Sequence, residues 1–293
     1  METFRKILVA TDFDSSADRA LETAVALATR FSAELTVLHV VEETAYAYPF
    51  PIPRGVREQA QARLDELVGG LRSRMLRATG VLREGIAWYE IVTAAQVLGA
   101  DLVAVGSQGR HGLPRFVMGS VAERVVRTSP VPVLTVHPYD DVAILTGGMD
   151  RFRHVLAPTD LSEDSRSGVD LAASLAAELG AALTLVYVFE PPGSEYYLPP
   201  DVAEDLEGAA RRQLDELVAR VRDRVPKAEG VVTRGTPWRA MLDLAKARGA
   251  DLVVLSTSGR RGLQRVLIGS VAEKIVRLAT LPVITVGPKG SVP

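Results

Sequence analysis

The sequence repeats itself at an offset of about 150 residues, and this duplication constrains the fold more than any other feature of the chain. Residues 4–12 match residues 152–160. Over residues 101–136, 19 of 36 positions are identical to their partners in 251–286. A duplicated domain is therefore predicted, and a chain of 293 residues is long enough for each copy to bury its own core. The predicted layout is domain 1 at 1–140, a linker at 141–151 and domain 2 at 152–293.

Short runs of β-branched residues alternate with longer stretches of helical periodicity in each half. The runs 102–105 and 252–255 are apolar at every position, which is typical of strands that are covered by helices on both faces of a sheet. The sequence therefore predicts two tandem Rossmann-like, doubly wound α/β domains, each with a five-stranded parallel sheet flanked by helices. The strands predicted for the first half are 6–10, 34–41, 81–84, 102–106 and 131–136.

The composition excludes several classes of protein. The chain has no cysteine, which rules out disulfides, thiolate metal sites and cysteine nucleophiles and fits a reducing compartment. The 34 Lys and Arg residues against 36 Asp and Glu residues give a net charge of −2, so the positive field of a nucleic-acid-binding protein is missing. The apolar run at residues 7–10 is too short for a signal peptide, and no later run is long enough to span a membrane. We therefore expect a cytoplasmic protein that binds neither nucleic acid nor a membrane.

The residues that follow the strands indicate a phosphate-binding crevice. Thr11-Asp12 ends the first strand, the fourth strand runs into Gly106 and Gly109, and Gly119-Ser120 opens the next helix. In a parallel sheet these strand ends meet at one edge. A glycine-rich loop lets backbone N–H groups approach a phosphate, and a helix start adds free N–H groups and a positive dipole end. The combination predicts a polyphosphate site.

Each of these residues also has a purely structural interpretation. The glycines suit turns between a strand and a helix. Ser120 and Glu123 have the Ser-x-x-Glu spacing of a capping box, and the same pair recurs in the second half. Asp12 and Asp160 suit the N-cap positions of the helices that follow them.

Neither a P-loop nor a Gly-x-Gly-x-x-Gly fingerprint follows a strand. The tandem layout, Thr11-Asp12, the strand end Leu38-His39-Val40 and the spacing Gly106-x2-Gly109-x9-Gly119-Ser120 together resemble the ATP-binding branch of the universal stress protein family, once per half and over nearly the whole chain. The resemblance implies an ATP site, with or without Mg²⁺, in which Asp12 lies near the adenosine, the main chain of Val40 faces the adenine, and the glycines line the ribose and phosphates. The residues implied for the first site are Thr11, Asp12, Val40, Gly106, Gly109, Arg110, Gly119, Ser120, Val121 and Ala122.

The second half carries the same pattern with one departure. Ser256 stands where the first half has Gly106. We expect the Cβ of Ser256 to crowd a nucleotide, so that the second site binds more weakly than the first. The residues implied for the second site are Asp160, Val188, Gly259, Gly269, Ser270 and Val271.

No catalytic residue and no metal site are predicted. The four histidines, His39, His111, His137 and His154, do not fall at metal-ligand spacing, and no nucleophile elbow occurs. The resemblance implies a stress-response regulatory module that binds ATP without transforming a substrate. A slow ATPase or phosphotransferase at the same site and a nucleotide-free scaffold for protein interactions are the alternatives. The partners implied are an adenine nucleotide and a protein of unknown identity. The two repeats are expected to pair through their last strands as an intramolecular pseudo-dimer, and a homodimer of chains is the further assembly considered.

Overall fold

The computed structural model describes residues 4–42, 54–107, 118–137, 152–190, 199–258 and 268–287. The chain divides into two compact units, and the boundary falls between Met149 and Asp150. The predicted linker at 141–151 lies outside the described residues. Across the described ranges, every helix is too short or too polar to cross a membrane.

The first unit is built from five parallel strands and the helices that connect them. The strands are β1 (Lys6–Thr11), β2 (Glu34–Glu42), β3 (Ala78–Gly85), β4 (Leu102–Gly106) and β5 (Val133–Val136), and the described helices are α1 (Ser15–Phe31), α2 (Arg54–Ser73), α3 (Ala87–Leu98) and α4 (Ser120–Thr128). Within this unit the order of the strands across the sheet is β3-β2-β1-β4-β5, and each neighbouring pair is parallel.

The second unit repeats this arrangement. Its strands are β6 (His154–Pro158), β7 (Ala182–Phe189), β8 (Ala228–Arg234), β9 (Leu252–Ser256) and β10 (Val283–Val286), and its described helices are α5 (Arg166–Leu179), α6 (Pro200–Arg222), α7 (Pro237–Arg248) and α8 (Ser270–Leu278). Within this unit the order is β8-β7-β6-β9-β10, again with parallel pairs. The predicted fold class, two doubly wound α/β domains with five parallel strands each, is confirmed.

Two strand starts in the first unit differ from the prediction, and the ends of β1, β2 and β3 each lie one residue beyond the predicted ends. β3 begins at Ala78 rather than at residue 81, because its first residues pair with β2 while Gly80 packs under Leu64 of α2. A Cβ at Gly80 would lie 3.0 Å from Leu64 Cγ, so the glycine lets the helix approach the strand. β5 begins at Val133 rather than at residue 131, because Pro132 has no N–H group with which to join the ladder.

The strand order reverses beside β1, and this reversal positions the candidate site. The chain runs from β1 to β2 and β3 on one side, and later to β4 and β5 on the other. A reversal of this kind leaves a crevice at the carboxyl ends of the flanking strands, which here are Thr11 and Gly106. The strands beneath the crevice are buried on both faces, since Leu8, Val9 and Leu102 have no exposed surface.

An aspartate holds the opposite, amino-terminal end of each sheet, half-buried in the first unit and buried in the second. Asp101 accepts hydrogen bonds at Oδ2 from the backbone N–H groups of Arg5 (2.8 Å) and Lys6 (2.9 Å) at the start of β1. Asp251 accepts the equivalent bonds from Arg153 (2.7 Å) and His154 (3.2 Å) at the start of β6. The recurring pair Asp101 and Asp251 therefore joins strand starts, at the end of the sheet away from the crevice.

We expect Asp251→Ala to lower the free energy of unfolding by about 2 kcal/mol, because two backbone N–H groups lose a charged acceptor. Burial raises the pKa of the Asp251 carboxyl above its usual value of 3.8, and the N–H groups of Arg153 and His154 offset only part of this shift. A carboxyl with a raised folded-state pKa adds stability that is present below the unfolded-state pKa and lost as the pH rises through the folded-state pKa. The difference between the wild type and Asp251→Ala should therefore be larger near about pH 4 than near about pH 7.

Urea unfolding at the two pH values measures this difference, with Asp243→Ala as the control, since Asp243 is an exposed carboxylate on α7. The control should stay within about 0.5 kcal/mol of the wild type. Wild-type stability of Asp251→Ala at both pH values would contradict the anchoring role.

Candidate functional site

A cleft of about 650 Å³ opens at the carboxyl end of the first unit's sheet. It lies at the reversal point between β1 and β4. The predicted residues Thr11, Asp12, Val40 and Gly106 line the cleft together with residues 119–122 at the start of α4. The structure thus brings most of the predicted first site into one crevice. The two other predicted residues of this half, Gly109 and Arg110, lie outside the described residues.

The start of α4 presents uncapped N–H groups to this cleft. Gly119 occupies the N-cap position in extended backbone, with φ −65° and ψ 146°, and no side chain caps the helix. The predicted Ser120–Glu123 capping box is wrong, because Ser120 is already the first helical residue and the N–H of Glu123 bonds to the carbonyl of Gly119 at 3.0 Å. The second unit has the same arrangement, with Gly269 at the N-cap of α8. The N–H groups of residues 120–122 have no acceptor among the described residues, as is usual for the first turn of a helix.

The loop after β1 is shaped by its own side chains. Thr11 Oγ1 accepts the N–H of Phe13 at 2.9 Å, and Asp12 Oδ1 accepts the N–H of Asp14 at 3.1 Å. Asp14, not Asp12, is the N-cap of α1. The N-cap interpretation of Asp12 is therefore wrong, and its carboxylate lines the cleft instead.

Asp160 follows the same pattern in the second unit. Its Oδ1 accepts the N–H of Ser162 at 3.0 Å, while Ser165 occupies the N-cap position of α5. The N-cap interpretation is therefore wrong for Asp160 as well. The structure places the predicted residues Asp160, Val188, Gly269, Ser270 and Val271 just after β6, on β7 and at the start of α8, and Gly259 lies outside the described residues.

Ser107 ties the end of β4 to β5 and to α4. Its N–H donates to the carbonyl of Val136 (2.8 Å), and its carbonyl accepts the N–H of Gly119 (2.7 Å). Its hydroxyl lies 2.6 Å from Nδ1 of His137, and both side chains are buried. In the second unit Thr257 makes the same two main-chain bonds, and a glycine stands in the position of the histidine. The buried Ser–His pair is therefore an additional tie that fixes the end of β4 next to the start of α4 in the first unit.

The exchange of Gly106 for Ser256 changes how a helix meets the sheet. A Cβ on Gly106 would lie 2.5 Å from Ser16 Oγ and 2.8 Å from the backbone nitrogen of Ala17, so this glycine allows α1 to approach β4. In the second unit the close approach is made by Gly168 of α5, where a Cβ would lie 2.5 Å from the backbone nitrogen of Ser256. The glycine that permits the close approach therefore lies on the strand in the first unit and on the helix in the second. This effect differs from the crowding of a nucleotide that the sequence predicts at Ser256.

Several residues that line the cleft were not predicted from the sequence. Phe13 follows Asp12 with a positive φ of 61°, and its ring lies 4.4 Å from the ring of His39. The guanidinium carbon of Arg63, on α2, lies 4.4 Å from the centre of the Phe13 ring. The sequence distinguishes these residues only through the difference between its two halves. The second half has Leu161, Tyr187 and Gln213 at the matching positions. The unpredicted residues that α2 and α3 contribute to the cleft are Val56, Gln59, Ala60, Arg63, Ala87 and Ile91.

Comparisons with known proteins agree with this architecture. The sequence model of the universal stress protein family matches residues 3–137 and again residues 151–287. A universal stress protein of Mycolicibacterium smegmatis is 28% identical over 299 residues, covering 97% of each chain, and one of Mycobacterium tuberculosis is 30% identical over 298 residues, covering 95% of each chain. The crystal structure of a universal stress protein from Archaeoglobus fulgidus has the same fold, with a TM-score of 0.74 and 21% identity, over 99% of this chain and 98% of that one. The chain therefore belongs to the universal stress protein family and contains two domains of that family in tandem.

Proposed function

We propose that this protein is a regulatory module that binds ATP in the cleft of its first unit without transforming a substrate. The observation that carries the proposal is the start of α4, where residues 119–122 line the cleft and no side chain caps the helix. Uncapped N–H groups and the positive end of a helix dipole together favour a phosphate group. The phosphates of the nucleotide are assigned to this end of the cleft.

The other end of the cleft suits a nucleoside. Its volume of about 650 Å³ falls in the usual range for small-molecule sites. Val56, Ala60 and Ile91 give it an apolar wall, and Val40 presents the end of β2. An elongated ligand with one apolar and one anionic end matches this distribution of groups, as a nucleoside triphosphate does.

Binding without turnover is supported by the structural role of one recurring pair of carboxylates, Asp101 and Asp251. Asp101 and Asp251 are engaged by strand N–H groups at the opposite end of each sheet. A ligand that binds only the folded, ordered cleft stabilises that state by mass action, by an amount that grows with the logarithm of its concentration over its Kd. Nucleotide occupancy can in this way regulate a conformation or an interface without any chemical step.

The identity of the ligand is tested by denaturing freshly purified protein and identifying the released small molecules by mass spectrometry. We expect an adenine nucleotide in an amount that approaches one per chain. Calorimetric titration of nucleotide-free protein with adenosine, AMP, ADP and ATP, with and without Mg²⁺, should then show affinity that rises with the number of phosphates.

Two results would contradict the proposal. An absence of binding to all four compounds would favour the nucleotide-free scaffold. Release of inorganic phosphate from ATP that depends on added metal and exceeds the buffer rate would favour the ATPase.

A further inference from the structure

Three side chains form a stack at the end of the cleft that lies away from α4. The Phe13 ring contacts two partners: the His39 ring at 4.4 Å, tilted by 38°, and the Arg63 guanidinium, also at 4.4 Å. A guanidinium over an aromatic face is held by cation–π attraction and by planar stacking. All three side chains line the cleft.

The base of the stack is fixed by hydrogen bonds. His39 is buried, and its Nδ1 donates to the carbonyl of Thr11 at 2.7 Å. The N–H of Phe13 donates to Thr11 Oγ1. This bond holds the backbone of Phe13 at a positive φ, a conformation that residues with large side chains rarely adopt. The Phe13 ring is therefore a preorganised surface on which Arg63 rests.

Arg63 differs from the neighbouring arginines of α2. Arg57 pairs with Glu84 at 3.1 Å, and Arg72 donates to the carbonyl of Ala78 at 2.9 Å. Across the part of the chain that the structure describes, Arg63 forms neither a hydrogen bond nor an ion pair, and it is exposed. Its guanidinium thus has unused donors and an aromatic support in the wall of a cleft.

The charges around Arg63 are acidic. The pKa of Asp18 on α1 is raised above its usual value, first by partial loss of solvent and then by the negative charges of Asp14 and Asp12, while Arg63 acts in the opposite direction. Among the described residues that line the cleft, Arg63 is the one Lys or Arg side chain, against the carboxylates of Asp12 and Glu42. The carboxylate of Asp18 attracts the Arg63 guanidinium.

The sheet order separates this stack from the phosphate end. Thr11 and His39 end β1 and β2, whereas the start of α4 is bonded to Ser107, directly after β4. Because β1 lies between β2 and β4, the two ends of the cleft are roughly two strand spacings, or about 10 Å, apart. A nucleotide with its phosphates at α4 places its base near β2 and Arg63.

We propose that Arg63, held on the ring of Phe13, is a specificity-determining residue of the first site that packs against the planar base of the ligand and does not contact its phosphates. This inference rests on the proposed binding of an adenine nucleotide. The second half lacks the whole stack, since Leu161, Tyr187 and Gln213 take the three positions. The stack therefore makes the first cleft a better receptor for an aromatic base than its counterpart.

The test is calorimetric titration of nucleotide-free full-length protein with adenosine and with ATP. Arg63→Gln, which introduces the residue of the second half, should weaken both ligands by the same factor, about fivefold. Arg63→Lys keeps the charge but loses the planar guanidinium, so it should also bind both ligands more weakly than the wild type does. Arg57→Gln is the matched control on α2 and should bind both ligands as the wild type does.

The outcomes separate this inference from the proposed function. Loss of ATP affinity with unchanged adenosine affinity in Arg63→Gln would make Arg63 a phosphate ligand and overturn the inference, and so would unchanged affinity for both compounds. In either case the wild type would still bind ATP, and the proposed function would stand. A wild type that binds neither compound would overturn the proposed function and this inference with it.

Discussion

Val121→Glu is expected to abolish ATP binding to the first unit while leaving the protein folded. Val121 is the second residue of α4, is half-buried and lines the cleft at the proposed phosphate position. A carboxylate there places a negative charge beside the phosphates, and close like charges cost several kcal/mol, so the affinity for ATP should fall by more than about 100-fold. The same carboxylate lies in the first turn of a helix, where the dipole favours a negative charge, so the melting temperature should stay close to that of the wild type.

Val271→Glu is the matched control, because Val271 occupies the same position at the start of α8 in the second unit. Calorimetric titration with ATP should show that this variant retains the tight site of the wild type. Adenosine, which has no phosphate, should bind Val121→Glu with nearly wild-type affinity. Wild-type ATP affinity in folded Val121→Glu would remove α4 from the site, and loss of the tight site in Val271→Glu alone would assign binding to the second unit.

The fold is largely predictable from the sequence because its signals are local or repeated. The fully apolar residues 102–105 and 252–255 form the buried strands β4 and β9, as expected for strands covered on both faces. The duplication fixes the number of domains without any knowledge of contacts. The strand boundary at Val133 depends on Pro132, a local effect that the sequence itself contains.

The candidate site is only partly predictable, because part of it is built by contacts between distant segments. Residues at the strand ends, such as Thr11 and Gly106, meet in the cleft because parallel strands end at one edge of a sheet. Arg63 reaches Phe13 from 50 positions along the chain, and no local pattern connects the two residues. The capping-box prediction fails for a different reason. Its spacing is correct, but the helix begins one residue earlier than the pattern requires, so Ser120 is helical rather than a cap.

The interpretation of Gly106 also needs the structure. From the sequence, the glycine is assigned to the nucleotide, since it opens a glycine-rich loop after a strand. In the structure, α1 occupies the space that a Cβ on Gly106 would need. In the second unit the strand has Ser256 at this position, and the glycine that allows helix and strand to approach is Gly168 of α5. The glycine therefore has a packing role in addition to its place in the lining of the cleft.

Gly106→Val is expected to lower the free energy of unfolding of the first unit by about 3 kcal/mol. A Cβ at this position would lie 2.5 Å from Ser16 Oγ, 2.7 Å from the carbonyl carbon of Ser16 and 2.8 Å from the nitrogen of Ala17. Two of these three atoms belong to the backbone of the first turn of α1, so a rotamer change of one side chain cannot relieve the contact. The turn has to move away from β4, and the preceding loop with Asp12 moves with it. The affinity for ATP should therefore fall together with the stability.

Urea unfolding followed by circular dichroism, with ATP titration of the folded variant, measures both effects. Gly70→Ala is the matched control, because Gly70 lies inside α2 with no atom within 4 Å of an added Cβ, and the change should raise stability by about 0.5–1 kcal/mol through helix propensity. Ser256→Gly should leave the ATP affinity of the first unit unchanged, since Ser256 packs against α5 in the other unit. If Gly106→Val unfolds at the wild-type urea concentration and binds ATP normally, then α1 tolerates displacement from β4, and the contact of Gly106 with Ser16 and Ala17 does not hold the Asp12 loop in place.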